Sequence, residues 1–176
     1  MSLAGIISPT AAARLVSRVG RSVAWLTLLM TLMTFLVVVL RYGFNEGWIW
    51  MQESVTYLHA TVFMAAAAWA FQTGDHVRVD IFYREASPAY KYRVDIAGTL
   101  LFLLPFCLFL LYTGWDYVAS SWAAKEASSE PGGLPLVWLL KTLVLVLPVL
   151  LLLQSWVTVS QSLAGLREIR AQAHDG

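Results

Sequence analysis

Long uncharged stretches alternate with short polar ones along this chain, and the pattern predicts four membrane-spanning helices. A helix of about 20 apolar residues crosses the roughly 30 Å hydrocarbon core of a bilayer. Backbone polar groups find no water in lipid, so each span must satisfy its own hydrogen bonds as a helix. The charged residues that bracket the uncharged stretches are Arg21 and Arg41, Glu53 and Asp75, Asp95 and Asp116, and Lys141 and Arg167. The predicted spans are about 22–41, 55–73, 96–115 and 136–157.

The four segments lack the polar stripe that a buried helix of a soluble bundle shows at a 3.6-residue period. Composition agrees, because 13% of the residues are charged and 59% are hydrophobic, against about 25% charged in a typical soluble domain. The first apolar run is longer than a signal-peptide core and leads into Arg41 without a small-residue cleavage site. The sequence therefore predicts an all-α membrane protein with four transmembrane helices, short loops and an uncleaved first helix.

Basic residues are distributed unequally between the two ends of the predicted bundle. The N-terminal segment, the loop after the second span and the C-terminal tail carry nine Lys and Arg. The other side has three, which are Arg41, Lys125 and Lys141. The positive-inside rule then places both termini in the cytoplasm. Segment 1–21 is predicted as an interfacial helix along the inner leaflet or as a topology signal with little structure, and both interpretations stay open. Residues 22–160 form the membrane domain, and 161–176 a cytoplasmic tail.

The stretch TGDHVRVDIFY, residues 73–83, concentrates polar side chains directly after the second span. His76 and Asp80 stand four residues apart and could supply two metal ligands. A metal site needs three or more, and no further His or Cys lies nearby on this side of the membrane. The favoured interpretation is a hydrogen-bonded cytoplasmic elbow, formed by Gly74, His76, Arg78 and Asp80, that fixes how the second span joins the third.

Two further groups of residues are candidates for structural roles. Arg41 could pair with Glu53, and Asp116 with Lys141, at the membrane edge, although water could solvate each charge instead. Small residues recur every four positions in the second span, and such a face lets helix backbones approach closely. That packing face is Ala66, Ala70 and Gly74; the alternative is chance in an alanine-rich run.

Motifs of catalysis are absent from the sequence: it has no nucleophile elbow, phosphate-binding glycine loop or HExxH. No Asp, Glu, Lys or Arg lies near the middle of a span, where a charge usually marks an ion or substrate pathway. His59 is the only histidine within a span, whereas bis-histidine haem ligation by one chain needs two. We therefore expect no catalytic, metal-binding or substrate-binding residue and no cofactor in this chain.

Three motifs resemble the DctQ-like small membrane subunit of tripartite ATP-independent periplasmic (TRAP) transporters. They are RYGFNEGWIWMQES after the first span, TGDHVRVD after the second and EPGGLPLVWLLK at the approach to the fourth. The resemblance runs from about Ala24 to Ser162, and the G-x-H-V-x-V-D pattern from Gly74 to Asp80 is its most specific part.

The resemblance implies a non-catalytic subunit of a secondary importer in the bacterial inner membrane. It would scaffold a large multi-span permease that uses sodium to take up a small organic acid or related solute. A periplasmic solute-binding protein would deliver that solute to the permease. Its partners would be those two proteins and the lipid bilayer, with no nucleic acid. Two alternatives stay open: a haem-bearing membrane anchor of a respiratory enzyme, and a self-contained small oligomeric transporter.

Overall fold

The structure, a computed structural model, describes residues 8–75 and 85–172, and within them the regular structure is helical. Four helical segments are long and apolar enough to cross a membrane, which confirms the four predicted spans. Their bounds are α1 Pro9–Gly43, α2 Ile49–Thr73, α3 Pro88–Gly98 continued by a π-helical turn Thr99–Leu103 and by α4 Leu104–Ala124, and α5 Val137–Gln172.

Local sequence signals set the helix ends. Ser8 and Ser87 cap α1 and α3, their hydroxyl oxygens accepting hydrogen bonds from Ala11 N–H at 3.2 Å and Tyr90 N–H at 3.3 Å. A proline follows each cap, where its missing N–H costs nothing. At the end of α2, Gly74 adopts a left-handed conformation with φ 77°, which a residue without Cβ reaches at no steric cost.

The third span contains a proline but continues as a helix. Pro105 has no N–H, and its ring would meet the carbonyl four residues back in an α-helix. The turn directly before it is π-helical, with the Leu104 N–H donating to the Thr99 carbonyl, five residues back. This wider turn accommodates the proline, in keeping with the association of π-turns and prolines with helix bends. Pro148 lies buried inside α5.

Helix α5 is the centre of the bundle. It contacts α1, α2, α3 and α4, whereas α2 does not contact α3 or α4 among the described residues. The α1–α2 hairpin therefore packs on one side of α5, and α3–α4 packs on the other. The buried core is Val16, Ala65, Ala68, Cys107, Leu150 and Leu151. A cleft remains between α2 and α3–α4, with α5 as its floor.

Both end segments are helical where the structure describes them. From Pro9 onward the N-terminal segment is helical, but it runs without interruption into the first span rather than forming a separate interfacial helix. After Pro9, α1 contains no proline that would interrupt it. Its one glycine near the start of the apolar run, Gly20, packs closely against Trp69 of α2 and remains helical. In the tail, α5 continues to Gln172. Residue 8 and residue 172 lie at the same end of the bundle, called here the termini end; the opposite end is the loop end.

Candidate functional site at the loop end

The predicted elbow is only partly within the described residues. Gly74 ends α2 with two backbone hydrogen bonds, from the Gly74 N–H to the Phe71 carbonyl and from the Asp75 N–H to the Ala70 carbonyl. The Thr73 hydroxyl bonds the Asp75 carboxylate. His76, Arg78 and Asp80 lie outside the described residues, so their role in the elbow stays a prediction.

The fully buried side of α2 is not the predicted packing face. Ala65 and Ala68 are buried, whereas Ala66 and Ala70 are half-buried and Gly74 is exposed beyond the helix end. Close approach of α1 and α2 instead involves Gly20, where an added Cβ would lie 2.3 Å from the Trp69 ring. Trp69 beside Gly20 fixes the rotation of α2 against α1, and close packing on the side of Ala66 and Ala70 stays a prediction.

Glu53 connects α2 to the loop between α4 and α5. One carboxylate oxygen accepts a hydrogen bond from the Ser128 hydroxyl, and the other accepts one from the Leu134 N–H at 2.6 Å. The loop supports this geometry, because the Ser128 N–H donates to the Leu134 carbonyl at 3.0 Å. The predicted pair of Arg41 with Glu53 does not form; the Glu53 oxygens are taken by the loop, and Arg41 is exposed at the end of α1.

Each of the two glycines in this loop has a structural reason. A Cβ at Gly133 would lie 2.8 Å from the Glu53 carboxylate and nearer still to the Ser128 side chain. Gly132 adopts a left-handed conformation with φ 79°, which glycine reaches without strain. The Pro-Gly-Gly turn at residues 131–133 therefore also creates the space that Glu53 enters.

Lys141 pairs with Glu126, and not with Asp116 as expected. The Lys141 ammonium lies 2.5 Å from the Glu126 carboxylate and 4.2 Å from the centre of the Tyr117 ring. The hydrogen bond from Lys141 lowers the pKa of Glu126 below its usual value. The Glu126 carbonyl also accepts from the Trp138 N–H at 3.4 Å. This pair joins the end of α4 to the first turns of α5.

Lys125 ends α4 in the left-handed conformation, with φ 47°, which is unfavourable for a side chain with a Cβ. Its ammonium lies 5.0 Å from the Trp122 ring centre and 4.8 Å from that of Trp138, close enough for cation–π attraction to both rings. The two rings meet edge to face at 4.4 Å, and the Trp122 indole N–H donates to the Thr142 hydroxyl at 2.9 Å.

We define the loop cluster as the group that holds this end of the bundle together. It binds α2, α4 and α5 through charge-assisted hydrogen bonds and aromatic contacts, and it holds no group of three metal-ligating side chains among the described residues. Its arrangement suits a fixed structural connection. Its members are Glu53, Trp122, Lys125, Glu126, Ser128, Trp138 and Lys141.

Sequence reasoning identified Glu53 and Lys141 in this cluster but assigned them other partners. The serine of the loop and the tryptophan pair gave no periodic signal that could have revealed their contacts. At the termini end, a missed polar contact joins α1 to α2: the Ser17 hydroxyl donates to the Gln72 side chain at 2.7 Å, and the Gln72 amide donates to the Ala13 carbonyl at 3.1 Å.

A family model described as "Tripartite ATP-independent periplasmic transporters, DctQ component" matches residues 30–165. The chain is 30% identical over 88 residues to the C4-dicarboxylate TRAP transporter small permease protein DctQ of Vibrio cholerae, a match covering 50% of this chain and 38% of that protein. It is 31% identical over 86 residues to a putative TRAP transporter small permease protein of Haemophilus influenzae, covering 49% of this chain and 52% of the relative.

These matches span about half the length of the curated relatives or less. No solved structure is significantly similar to this chain.

Proposed function

Since the chain belongs to the DctQ family of TRAP transporter components and is a multi-pass protein of the bacterial inner membrane, we propose that this small permease subunit is a fixed scaffold for a large permease subunit. In this role it binds the large subunit laterally in the membrane and takes no part in moving the solute. Family membership favours this function over a haem-bearing anchor or a self-contained transporter.

The observation that carries the scaffold role is the absence of charged residues from the middle of all four apolar runs. Ion and substrate pathways through a bilayer retain charged side chains at mid-depth despite a cost of about 2.5–3.5 kcal/mol each on insertion scales. The charges of the described helices are concentrated instead near the ends, where Glu53, Glu126 and Lys141 connect three helices. Such a bundle can hold its shape while a partner moves.

The outer face of α4 is the surface that we assign to the large subunit. Among the helices that the structure describes, α4 packs only on α5 and on its own preceding turn, which leaves one side uncovered by them. That side is aromatic, and aromatic residues are enriched in protein interfaces. Its exposed members are Phe109, Tyr112 and Trp115.

Co-purification of the large permease with tagged single-residue variants tests this proposal. Phe109 is 60% exposed and Phe35, on α1, is 68% exposed, so Phe109→Ala and Phe35→Ala both leave the core of the chain intact. We expect Phe109→Ala to lower recovery of the large subunit and solute uptake several-fold, and Phe35→Ala to change neither.

If Phe35→Ala lowered recovery of the large subunit and Phe109→Ala did not, the interface would lie on α1 and not on α4. If wild-type chain recovered no large subunit, or if uptake proceeded without this chain, the scaffold function itself would be wrong.

Substrate and coupling follow from the transporter class rather than from this chain. We propose that the complete transporter takes up a small organic acid with sodium, with a periplasmic binding protein delivering the solute. Neither specificity nor coupling is expected to change when residues of the loop cluster are replaced, because no solute pathway lies in this chain.

The orientation is part of the same proposal. Both termini face the cytoplasm, in line with the nine-to-three distribution of basic residues. Reporter fusions after residue 85 and after residue 170 should then report cytoplasm, and a fusion after residue 128 should report periplasm. A periplasmic signal after residue 85 would reverse the topology.

A further inference from the structure

The outward side of α1 carries a row of arginines at the termini end. Arg14, Arg18 and Arg21 are exposed, and their spacings of four and three residues keep them on one side of a helix with 3.6 residues per turn. The opposite side of α1 packs against α2 and α5. The buried residues of that opposite side are Ala12, Val16 and Gly20. The bundle therefore directs the three guanidinium groups to its surroundings.

The same side of α1 continues into the membrane as an apolar surface. Trp25 follows Arg21 by four residues and is 74% exposed, and Leu32 follows Trp25 by seven residues and is 56% exposed. Tryptophan is enriched where hydrocarbon meets the lipid headgroups. This side of α1 thus changes along its length from cationic to aromatic to aliphatic, which is the order that matches a lipid from its phosphate to its acyl chains.

The arginines lie at the depth of the lipid headgroups. The uncharged run of α1 begins directly after Arg21, and Arg18 and Arg14 are about 4.5 Å and 10.5 Å farther from that run at 1.5 Å per residue. The polar layer on each side of the hydrocarbon core is about 5–8 Å thick. Arg21 and Arg18 therefore lie within this layer, and a tilt of α1 brings Arg14 into it as well.

Hydrogen bonds along α1 direct two of the guanidinium groups. The Arg21 Nε–H donates to the Ser17 carbonyl at 3.2 Å, and the Arg14 Nε–H donates to the Thr10 carbonyl at 3.3 Å. Each carbonyl belongs to the preceding turn, so the Arg21 guanidinium is held away from the hydrocarbon and near the level of Arg18. The terminal nitrogens of both groups remain as donors for a ligand.

The positive charge of this side has no counter-charge among the described residues. The first 45 residues of the chain contain no Asp or Glu, and none of the three guanidinium groups forms an ion pair with a described carboxylate. Basic residues beside a membrane span attract anionic lipids, and a guanidinium group binds phosphate through two parallel hydrogen bonds. A lipid phosphate therefore matches this side in charge, geometry and depth.

We propose that this side of α1 binds an anionic phospholipid of the phosphatidylglycerol type from the adjacent leaflet. The lipid phosphate lies between Arg18 and Arg21, Arg14 adds attraction for the negative charge, and the acyl chains lie along Trp25 and Leu32. A zwitterionic phospholipid carries the same phosphate together with a cation that cancels its charge, so it binds less tightly. This inference is independent of the transport role proposed above. The arginine face, as it is called below, consists of Arg14, Arg18, Arg21 and Trp25.

Native mass spectrometry of the purified full chain tests the site, with dioleoyl phosphatidylglycerol and dioleoyl phosphatidylcholine added separately to delipidated protein. We expect phosphatidylglycerol to bind at least about tenfold more tightly, because each arginine near the membrane surface contributes about fivefold to the affinity for a negative charge. Equal binding of the two lipids, or no binding above the background of detergent-exposed surface, would overturn the proposal.

Two arginines of α1 provide a matched pair of variants. Arg21 and Arg41 are both exposed, and they bracket the same apolar run at its two ends. Arg21→Gln removes a phosphate contact, whereas Arg41→Gln removes the same charge at the loop end. We expect Arg21→Gln to weaken the binding of phosphatidylglycerol about fivefold and Arg41→Gln to leave it unchanged. Equal losses in both variants would show that net charge alone attracts the lipid, which contradicts a site on the arginine face.

Arg21→Lys tests the same contact if the loss of positive charge impairs membrane insertion. It keeps the charge that directs the first span and removes the planar guanidinium group that binds phosphate through two hydrogen bonds. Binding of phosphatidylglycerol should weaken several-fold, while the circular dichroism spectrum stays unchanged. Unchanged affinity would refute the assigned role of Arg21.

Site-directed cross-linking in native membranes distinguishes a lipid from a protein occupant of the arginine face. Trp25→Cys places a thiol on this exposed side without removing an arginine. A photoactivatable group attached to that thiol should form adducts with phospholipid. Adducts with another polypeptide instead would show that a protein covers the arginine face, and the lipid site would be wrong.

Discussion

Glu53 is the residue on which the connection between α2 and the α4–α5 loop depends, since its two oxygens accept from Ser128 and Leu134. Glu53→Gln replaces one acceptor by an NH₂ donor, which would face either the Leu134 N–H or the Ser128 hydroxyl. We expect the midpoint of thermal unfolding in detergent to fall by several degrees. Glu46→Gln, in the exposed loop after α1, removes the same charge and should leave the midpoint unchanged. Equal effects of the two variants would show that charge alone matters.

Glu126 makes the stability of the loop end dependent on pH. Its pKa is lowered by the hydrogen bond from Lys141, so the folded state favours the ionised form. The stabilisation is complete above the ordinary glutamate pKa of 4.5 and disappears as the pH falls through the lowered value. Thermal midpoints measured from pH 7 to pH 3 should therefore show wild type above Glu126→Gln at neutral pH, with the two curves converging in acid. Glu130→Gln, in the same loop, is the control and should follow wild type throughout.

At the scale of elements, the contact between α1 and α2 is set by Gly20 against Trp69. An added Cβ would lie 2.3 Å from Trp69 Cγ and 2.4 Å from its Cβ, close to the backbone, so the helices would have to separate. Gly20→Ala should destabilise the chain by about 1–3 kcal/mol through overpacking, although alanine is intrinsically the better helix former. Unfolding in mixed micelles measures the change.

Gly43→Ala is the control, and we expect it to change the free energy of unfolding in the opposite direction or not at all. It lies in the same helix with nothing within 4 Å of its would-be Cβ, so the propensity of alanine should leave stability equal or higher. If Gly20→Ala were as stable as Gly43→Ala, the two helices would not be held at the distance that the structure shows.

At the scale of the whole molecule, the register of α1 against α2 indicates a tilted bundle. Gly20 lies beside Trp69, and Ser17 bonds Gln72. At this register the centre of the apolar run 22–41 is displaced along the helix pair from the centre of the run 55–73. The displacement is about 10 Å at 1.5 Å per residue. Helix axes pack about 8–10 Å apart, so one flat membrane covers both runs when the pair tilts by about 45°.

Helix length is consistent with that tilt, because α1 and α5 have 35 and 36 residues, whereas about 20 cross a bilayer upright. Polarised infrared spectroscopy of oriented bilayers that contain the purified chain should give a mean helix tilt of about 40°, well above the usual 20° or so. A mean tilt near 20° would contradict this arrangement and would place the extra turns of α1 and α5 outside the membrane.

The sequence alone determined the number of spans and the family. Apolar runs of about 20 residues have one stable solution in lipid, and the motifs around Arg41, Gly74 and Pro135 carry the resemblance that the family match confirms. The turn at Gly132 and Gly133 is likewise a matter of local sequence, because glycine and proline act on their own backbone. Each of these properties is local, so neighbouring residues suffice to specify it.

Only the tertiary structure decided which side of each helix is buried and which charges meet. From Val62 to Phe71 every residue of α2 is apolar, so no stripe distinguishes the side of Ala68 from that of Ala70. The side chain of Trp69 against Gly20 settles the rotation. Lys141 meets Glu126 and not Asp116, because the left-handed turn at Lys125 carries the chain back over α5. In lipid, hydrophobicity no longer separates inside from outside, and close packing and hydrogen bonds between distant residues make the choice.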